Sequence, residues 1–212
     1  MPTLLTNGPE HATTQLILAH GAGAGMTSPW MTSLASLIAT EGLRVTRFEF
    51  AYMDARHQGA RKPPPKAERL MPEYVSLAKE ITASSPKGQR LVIGGKSMGG
   101  RVASMIADSL FEQGIIAGLV CASYPFHPPK KLEQVRTAHL ATLRCPTLIV
   151  QGERDPFGNR SEVEGYPLAR AITIKWMQDG DHDLSPRASS GTTAAANLAS
   201  AASAIARFCA TL

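Results

Sequence analysis

The sequence lacks a long hydrophobic run, and none of its apolar stretches approaches the ~20 residues that a membrane-spanning helix needs. Cysteine is scarce: Cys121, Cys145 and Cys209 are widely spaced, show no zinc-binding pattern, and leave an odd count that argues against a disulfide framework. The first residues contain neither a basic segment nor an apolar segment of the kind found in secretory signals. We therefore expect a reduced, cytoplasmic protein that does not enter a membrane.

Length and charge also indicate a simple organisation. The 212 residues fit one domain of ordinary size, about 150 residues, and the chain contains no internal repeat or linker. We therefore expect residues 1–212 to form a single domain. Lys and Arg total 22 against 17 Asp and Glu, which gives a net charge of +5. So small an excess is weak evidence for nucleic-acid binding, and we expect no nucleic-acid partner.

Short apolar runs of strand length alternate with segments of helical length. This alternation predicts a compact α/β fold with about six mainly parallel strands and helices on both faces of the sheet. Ligands bind such sheets at the carboxyl ends of the strands, so functional residues should directly follow each strand. The predicted strands are residues 15–19, 45–50, 90–94, 117–123, 147–151 and 171–176, and the predicted helices are 29–41, 72–83, 98–112, 131–143 and 192–210.

A glycine-rich turn follows the third predicted strand. Residues 94–100 read Gly-Gly-Lys-Ser-Met-Gly-Gly, which contains the pattern Gly-x-Ser-x-Gly between a strand and a helix. A turn this tight exposes the hydroxyl of its central serine, Ser97, above a helix N-terminus that favours developing negative charge. A phosphate-binding P-loop would need glycine at position 90, where the sequence has Arg90. Ser97 is therefore a candidate nucleophile.

A second glycine-rich segment, His-Gly-Ala-Gly-Ala-Gly at residues 20–25, follows the first predicted strand. A dinucleotide-binding fingerprint would need another glycine at position 26, which is Met26. The alternative is an oxyanion hole, in which backbone N–H groups approach a ligand oxygen closely. We expect Ala22 N–H to be one donor, with Gly23 beside it in contact with substrate, and Met98 N–H to be the second donor.

An acid and a histidine follow the last two predicted strands. Asp155 comes four residues after the fifth strand, and His182 lies in Gly-Asp-His-Asp after the sixth. The order Ser97, Asp155, His182 is the order in which nucleophile, acid and base occur in one known class of catalytic triad. The carboxylates beside His182 are alternatives for the orienting acid; they are Asp179, Asp181 and Asp183.

These four segments together resemble the α/β-hydrolase superfamily, and most closely its small branch similar to dienelactone hydrolase. The resemblance covers residues ~15–212 and implies the α/β-hydrolase fold and a hydrolytic activity. No cluster of His, Cys and carboxylate residues in the sequence suggests a metal, and we expect no cofactor. Two departures stand out. Because so few residues precede the first core strand, the N-terminal hairpin should be absent or reduced to one strand. Dienelactone hydrolases use a cysteine nucleophile, whereas this sequence has Ser97.

The combined interpretation is a serine hydrolase that cleaves small carboxylic esters through an acyl-enzyme on Ser97. The same residues would also suit a thioesterase, an amidase or an acyltransferase, and a non-catalytic scaffold for partner binding is a further alternative. Tyr124 and Phe126 are candidate pocket walls, and residues 124–144 could form at most a small cap. The basic segment 54–70, with Arg61, Lys62 and Lys66, could attract an anionic substrate. We expect a monomer or a homodimer.

Overall fold

The computed structural model of the protein describes residues 3–59 and 63–212. Within them, seven strands form one sheet in the order β1-β3-β2-β4-β5-β6-β7. Strand β1 is antiparallel to β3, and every other neighbouring pair is parallel. The strands are β1 (Leu4–Asn7), β2 (Thr14–Ala19), β3 (Arg44–Phe48), β4 (Arg90–Lys96), β5 (Gly118–Ala122), β6 (Thr147–Gly152) and β7 (Ile172–Met177).

Helices cover both faces of this sheet. The α-helices found in the described residues are α1 (Pro29–Thr40), α2 (Ala51–His57), α3 (Met71–Ser84), α4 (Met98–Glu112), α5 (Arg160–Val163) and α6 (Ala194–Ala210). Over those same residues, no helix combines the length and the apolar character needed to cross a bilayer.

The sheet has a separate hydrophobic core on each face, because successive residues of a strand point to opposite sides. On β2, Ile17 packs into the core that contains the buried faces of α3 and α4. Its neighbours Leu16 and Leu18 pack instead with the buried faces of α1 and α6. This sandwich fixes the carboxyl ends of the parallel strands along one edge, where the candidate site residues lie.

The structure confirms the expected α/β architecture. All six predicted strands are present within a few residues of their expected bounds, and in the described residues one further short strand, β1, precedes them. The alanine-rich C-terminal segment is helical, as expected. The helix begins after Thr193, whose side-chain hydroxyl oxygen accepts a hydrogen bond from the Ala196 N–H.

The helix predicted at residues 131–143 does not form; only a short 3-10 turn, Leu140–Thr142, is present there. The backbone of this segment bonds to other parts of the chain instead. Arg136 N–H donates to the Phe126 carbonyl at 2.7 Å, and the Tyr124 hydroxyl donates to the Arg136 carbonyl at 2.9 Å. These bonds tie the segment over the carboxyl edge of the sheet as an irregular loop.

Candidate active site

Ser97 occupies a strained turn between β4 and α4. Its backbone has φ 50° and ψ −114°, a positive-φ conformation that is costly for a residue with a Cβ. The turn is possible because its flanking glycines approach other backbone closely. A Cβ on Gly95 would lie 2.6 Å from the Gly99 carbonyl carbon, and a Cβ on Gly99 would lie 2.6 Å from the Ala19 carbonyl oxygen. The glycines of the motif thus allow β4 and α4 to meet with the Ser97 hydroxyl exposed between them.

His182 lies between Ser97 and Asp155 in a continuous line of hydrogen bonds. Its Nε2 is 2.9 Å from Ser97 Oγ, and its Nδ1 is 2.8 Å from Asp155 Oδ2. A carboxylate can only accept, so Nδ1 carries the proton and Nε2 is free to accept the serine hydroxyl proton. The Phe157 ring packs against the imidazole with a 4.2 Å separation between ring centroids. The imidazole therefore has both the tautomer and the orientation of a general base.

Asp155 is fully buried, so its carboxylate needs hydrogen-bond partners inside the protein. Besides His182, it accepts from the Gln151 side-chain amide at 3.0 Å and from the Phe157 N–H at 2.8 Å. Gln151 Nε2 also donates to the Tyr124 and Gly158 carbonyls. The carboxylate is therefore fixed by β6 and by the loop after it.

The three other carboxylates near His182 have different partners. Asp179 forms ion pairs with Arg187 and Arg154, and hydrogen bonding from Arg187 lowers the pKa of Asp179 to about 2. Asp181 accepts the backbone N–H groups of Asp183 and Ser185. Asp183 pairs with Lys96 at 2.9 Å. Of the four candidate acids, only Asp155 bonds to the imidazole.

The loop after β2 is held by side chains that fix its carbonyl groups. The buried His20 ring donates from Nδ1 to the Gly21 carbonyl at 2.7 Å and accepts the Phe50 N–H at Nε2. The Tyr52 hydroxyl is shared between the Gly21 and Ala22 carbonyls at 3.2 and 3.3 Å. Burial raises the pKa of Tyr52 to about 12, so this hydroxyl remains a donor at neutral pH.

These contacts orient the first predicted oxyanion donor. In a trans peptide the C=O and N–H point in opposite directions, so fixing the Gly21 carbonyl toward His20 and Tyr52 aims the Ala22 N–H away from them. Ala22 and Met98 both border a cavity of about 490 Å³ that also contains Ser97. Within the described residues, neither N–H donates to a backbone or side-chain acceptor. Both N–H groups therefore belong to residues that border the cavity and have no acceptor among the described residues.

Lys96, the residue before Ser97, holds the segment that carries His182. Its side chain is only 10% exposed, and its ammonium donates to the His182 carbonyl and pairs with the Asp183 carboxylate. The ammonium also lies 4.6 Å from the centre of the Trp30 ring, and the Trp30 indole N–H donates to the Asp183 carbonyl at 2.9 Å. Burial lowers the pKa of Lys96, and the Asp183 carboxylate opposes that shift.

The structure does not place Tyr124 and Phe126 on the cavity wall. Both side chains are fully buried, pack against each other with ring centroids 4.9 Å apart, and belong to the core beneath α4. The residue between them, Pro125, borders the cavity together with Phe157. Gly23 is exposed on the neighbouring loop, where a Cβ would meet no atom within 4 Å, so its position does not require glycine.

Part of the predicted basic segment borders the cavity. Arg61 and Lys62 lie outside the described residues, whereas Lys66 and Glu68 border the cavity. Two arginines that the sequence did not single out, Arg101 on α4 and Arg136 on the loop after β5, border it as well.

Several of these roles left little signal in the sequence. Lys96 occupies the variable position of Gly-x-Ser-x-Gly, where any residue satisfies the pattern, and Phe157 is one of several residues in an irregular loop.

Over residues 3–59 and 63–212, no cluster of His, Cys, Asp and Glu side chains is arranged to hold a metal ion.

The fold of this chain resembles the solved structures of several known proteins. The chain resembles dienelactone hydrolase from Anabaena variabilis with a TM-score of 0.70 and 19% identity, covering 97% of this chain and 90% of that one. It resembles the esterase domain of a Rhodothermus marinus protein with a TM-score of 0.66 and 14% identity, over 96% and 89% of the two chains. A type II thioesterase of the yersiniabactin biosynthetic pathway matches with a TM-score of 0.59 and 17% identity, over 85% and 90%.

These likenesses show the α/β-hydrolase fold. The sequence itself carries the family assignment, because the family described as "alpha/beta hydrolase domain" matches residues 12–210, nearly the whole chain. The protein therefore belongs to the alpha/beta hydrolase family.

Proposed function

We propose that the protein is a serine hydrolase that cleaves small carboxylic esters through an acyl-enzyme on Ser97. The observation that carries this proposal is the unbroken line of hydrogen bonds from Asp155 through His182 to Ser97 Oγ, at the border of a cavity of about 490 Å³. A non-catalytic scaffold would have no need for this alignment or for the strained backbone of Ser97. We further propose that the chain acts as one domain, in the cytoplasm, as a monomer or a homodimer.

The proposed reaction uses His182 twice. Ser97 Oγ forms a bond to the acyl carbon while its proton moves to His182 Nε2. The tetrahedral intermediate then breaks its bond to the leaving-group oxygen, which takes the proton from His182 and departs as an alcohol. Water adds to the acyl carbon with His182 again accepting a proton; the bond to Ser97 Oγ breaks, the proton returns to the serine, and the acid is released.

Two further groups would lower the barrier. Asp155 keeps the Nδ1–H tautomer and stabilises the imidazolium that forms in each step. The Ala22 and Met98 N–H groups would stabilise the negative oxygen of the tetrahedral intermediate, and the Met98 N–H lies at the positive end of α4. One well-placed donor of this kind is worth about 3–4 kcal/mol in the transition state.

A fluorophosphonate probe tests the whole arrangement, because labelling requires an activated hydroxyl with a base and an oxyanion hole. We expect one adduct per chain, on Ser97, and none on Ser97→Ala. The matched control is Ser36→Ala, which removes an exposed serine of α1 and should label like the wild type. A folded wild-type protein that takes no label would favour the scaffold alternative.

A substrate panel separates esters from the other acyl substrates. The same residues could attack a thioester or an amide, and the likeness to a thioesterase keeps the thioester as the main competitor. We expect matched oxygen esters to be hydrolysed with a higher kcat/KM than amides of the same acyl chain. A large preference for the thioester over the oxygen ester would replace esterase by thioesterase as the function.

A further inference from the structure

The cavity beside Ser97 has an excess of positive charge. Lys66, Arg101 and Arg136 border it, and Glu68 is the single carboxylate among the described residues that line it. Arg101 comes one helical turn after Ser97, about 6 Å along the axis of α4. Its backbone N–H donates to the Ser97 carbonyl. Its guanidinium is thus carried by the same helix that begins at the nucleophile.

The two arginines are not equally neutralised. Arg101 pairs with Glu68 at 2.8 Å, and its side chain is 21% exposed. Its Nε–H is buried and has no hydrogen-bond partner in the described part of the chain. Arg136 is half-buried and forms no ion pair with any described residue. Burial, and after it the neighbouring Arg101, lowers the pKa of Arg136.

Two half-buried arginines and one carboxylate give this part of the cavity wall a net positive charge, and only Arg101 is paired with that carboxylate. The planar guanidinium groups can bind the carboxylate of a ligand through paired hydrogen bonds. Such bonds are stronger in a partly desolvated pocket than on an open surface, because solvent screens them less. Direct hydrogen bonding of a substrate carboxylate in the cavity therefore differs from the long-range attraction of an anionic substrate that we expect of an exposed basic loop.

We propose that Arg136 and Arg101 form a carboxylate-binding subsite, so that the substrates of this protein are esters carrying a second, negatively charged carboxylate group. This inference rests on the proposed esterase function and names its substrate class. Glu68 competes with the substrate carboxylate for Arg101. Removing an arginine should therefore weaken the preference for anionic esters, whereas removing the charge of Glu68 should strengthen it.

The test compares matched neutral and anionic esters. One pair places the carboxylate in the acyl part: 4-nitrophenyl hexanoate against 4-nitrophenyl hydrogen adipate. The other places it in the leaving group: 4-chlorophenyl hexanoate against 4-carboxyphenyl hexanoate, whose phenols are of similar acidity. In at least one pair we expect the wild type to prefer the anionic ester by about tenfold or more in kcat/KM, and the pair that shows it locates the carboxylate.

The variants then assign the preference to the arginines. Arg136→Gln should reduce the anionic-to-neutral ratio of kcat/KM by about tenfold, and Arg136→Lys should retain part of it. Glu68→Gln should raise the ratio several-fold, because Arg101 is released to the substrate. The charge-matched control, Lys79→Gln on the exposed side of α3, should leave the ratio unchanged. Folding of each variant is checked by its thermal unfolding midpoint.

The results that would overturn the subsite differ from the result that would overturn the proposed function. A wild type that hydrolyses neutral esters and labels at Ser97, but shows no anionic preference in either pair, overturns the subsite alone. So does a preference that survives Arg136→Gln and Arg101→Gln, or one abolished by about 0.5 M salt, which would indicate exposed charges. A folded protein with neither turnover nor label overturns the proposed function and this inference with it.

Discussion

Replacing Lys96 by methionine should lower the rate of the proposed reaction, although Lys96 does not line the cavity beside Ser97. The ammonium of Lys96 donates to the His182 carbonyl and pairs with Asp183 at 2.9 Å, yet Lys96 is absent from the cavity lining. Methionine keeps an apolar side chain in the buried space beside Trp30 and removes only the charged donor. The segment that carries His182, the proposed general base, then loses its direct link to the residue before Ser97.

The size of the effect follows from the exposure of each partner. The Asp183 side chain is 66% exposed, so the ion pair itself should contribute only about 0–1 kcal/mol. The charge-assisted bond to the His182 carbonyl is worth about 1.5–3 kcal/mol, and regaining the hydration of a buried ammonium offsets part of its loss. We therefore expect the free energy of unfolding to fall by about 1–2 kcal/mol.

The effect on the reaction should be larger than the effect on stability. A displacement of a reacting group by about 1 Å can cost about a hundredfold in rate. We expect Lys96→Met to lower kcat ten- to a hundredfold with little change in KM, and to slow fluorophosphonate labelling in parallel. Trp30→Phe, which removes the indole donor to the Asp183 carbonyl but keeps a ring, should show a smaller loss of the same kind.

Steady-state kinetics on a neutral ester, with denaturant unfolding of the same samples, gives both quantities. Lys79→Met is the control, because it removes an exposed lysine from α3 and should leave kcat unchanged. A Lys96→Met protein that is less stable but keeps kcat within about twofold of the wild type would refute the reasoning, since Lys96 would then only stabilise the fold.

Three further predictions concern the groups around the nucleophile. Asp155→Asn should lower kcat by as much as ~10⁴, because an amide favours the wrong imidazole tautomer; steady-state kinetics near wild-type values would move the orienting role to another acid. Tyr52→Phe should lower kcat about tenfold by freeing the peptide that aims the Ala22 N–H, and an unchanged kcat would exclude that role. Burial lowers the pKa values of His20 and His139 below 6.5. The unfolded chain therefore takes up these protons first, and urea unfolding should show stability falling as pH drops below about 6.5; His139→Gln should reduce this dependence.

The three residues of the proposed triad could be predicted from the sequence because each lies in the segment that follows a strand. Ser97 follows β4, Asp155 follows β6 and His182 follows β7, and parallel strands bring their carboxyl ends to one edge of the sheet. Local patterns were therefore enough to place residues that are 27 and 85 positions apart within hydrogen-bond distance. The same reasoning selected Asp155 over nearer acids, since adjacent residues rarely point at one another's rings.

The cavity lining could not be predicted in this way, because it depends on how irregular loops turn. Arg101 and Arg136 meet at the cavity although they lie on different segments, and no local charge pattern connects them. The basic segment 54–70 was visible only because its charges are neighbours in the sequence. Side chains of Tyr124 and Phe126, which the sequence suggests for the wall, turn into the core.

Backbone conformation explains why the side chains of Tyr124 and Phe126 face the core, and it also shows which strand ends are strained. Ser123, directly after β5, has φ 53°, so the chain changes direction before Tyr124 and the alternation of the strand no longer says which side chain faces the cavity. Ser97 after β4 and Asp179 after β7 have φ 50° each. Non-glycine residues in this conformation persist only where surrounding contacts over-determine them. The ends of β4, β5 and β7 therefore carry strain, and all three lie on the edge of the sheet that holds the proposed nucleophile and base. The edge that would perform the chemistry is thus also the edge where a sequence pattern specifies side-chain directions least.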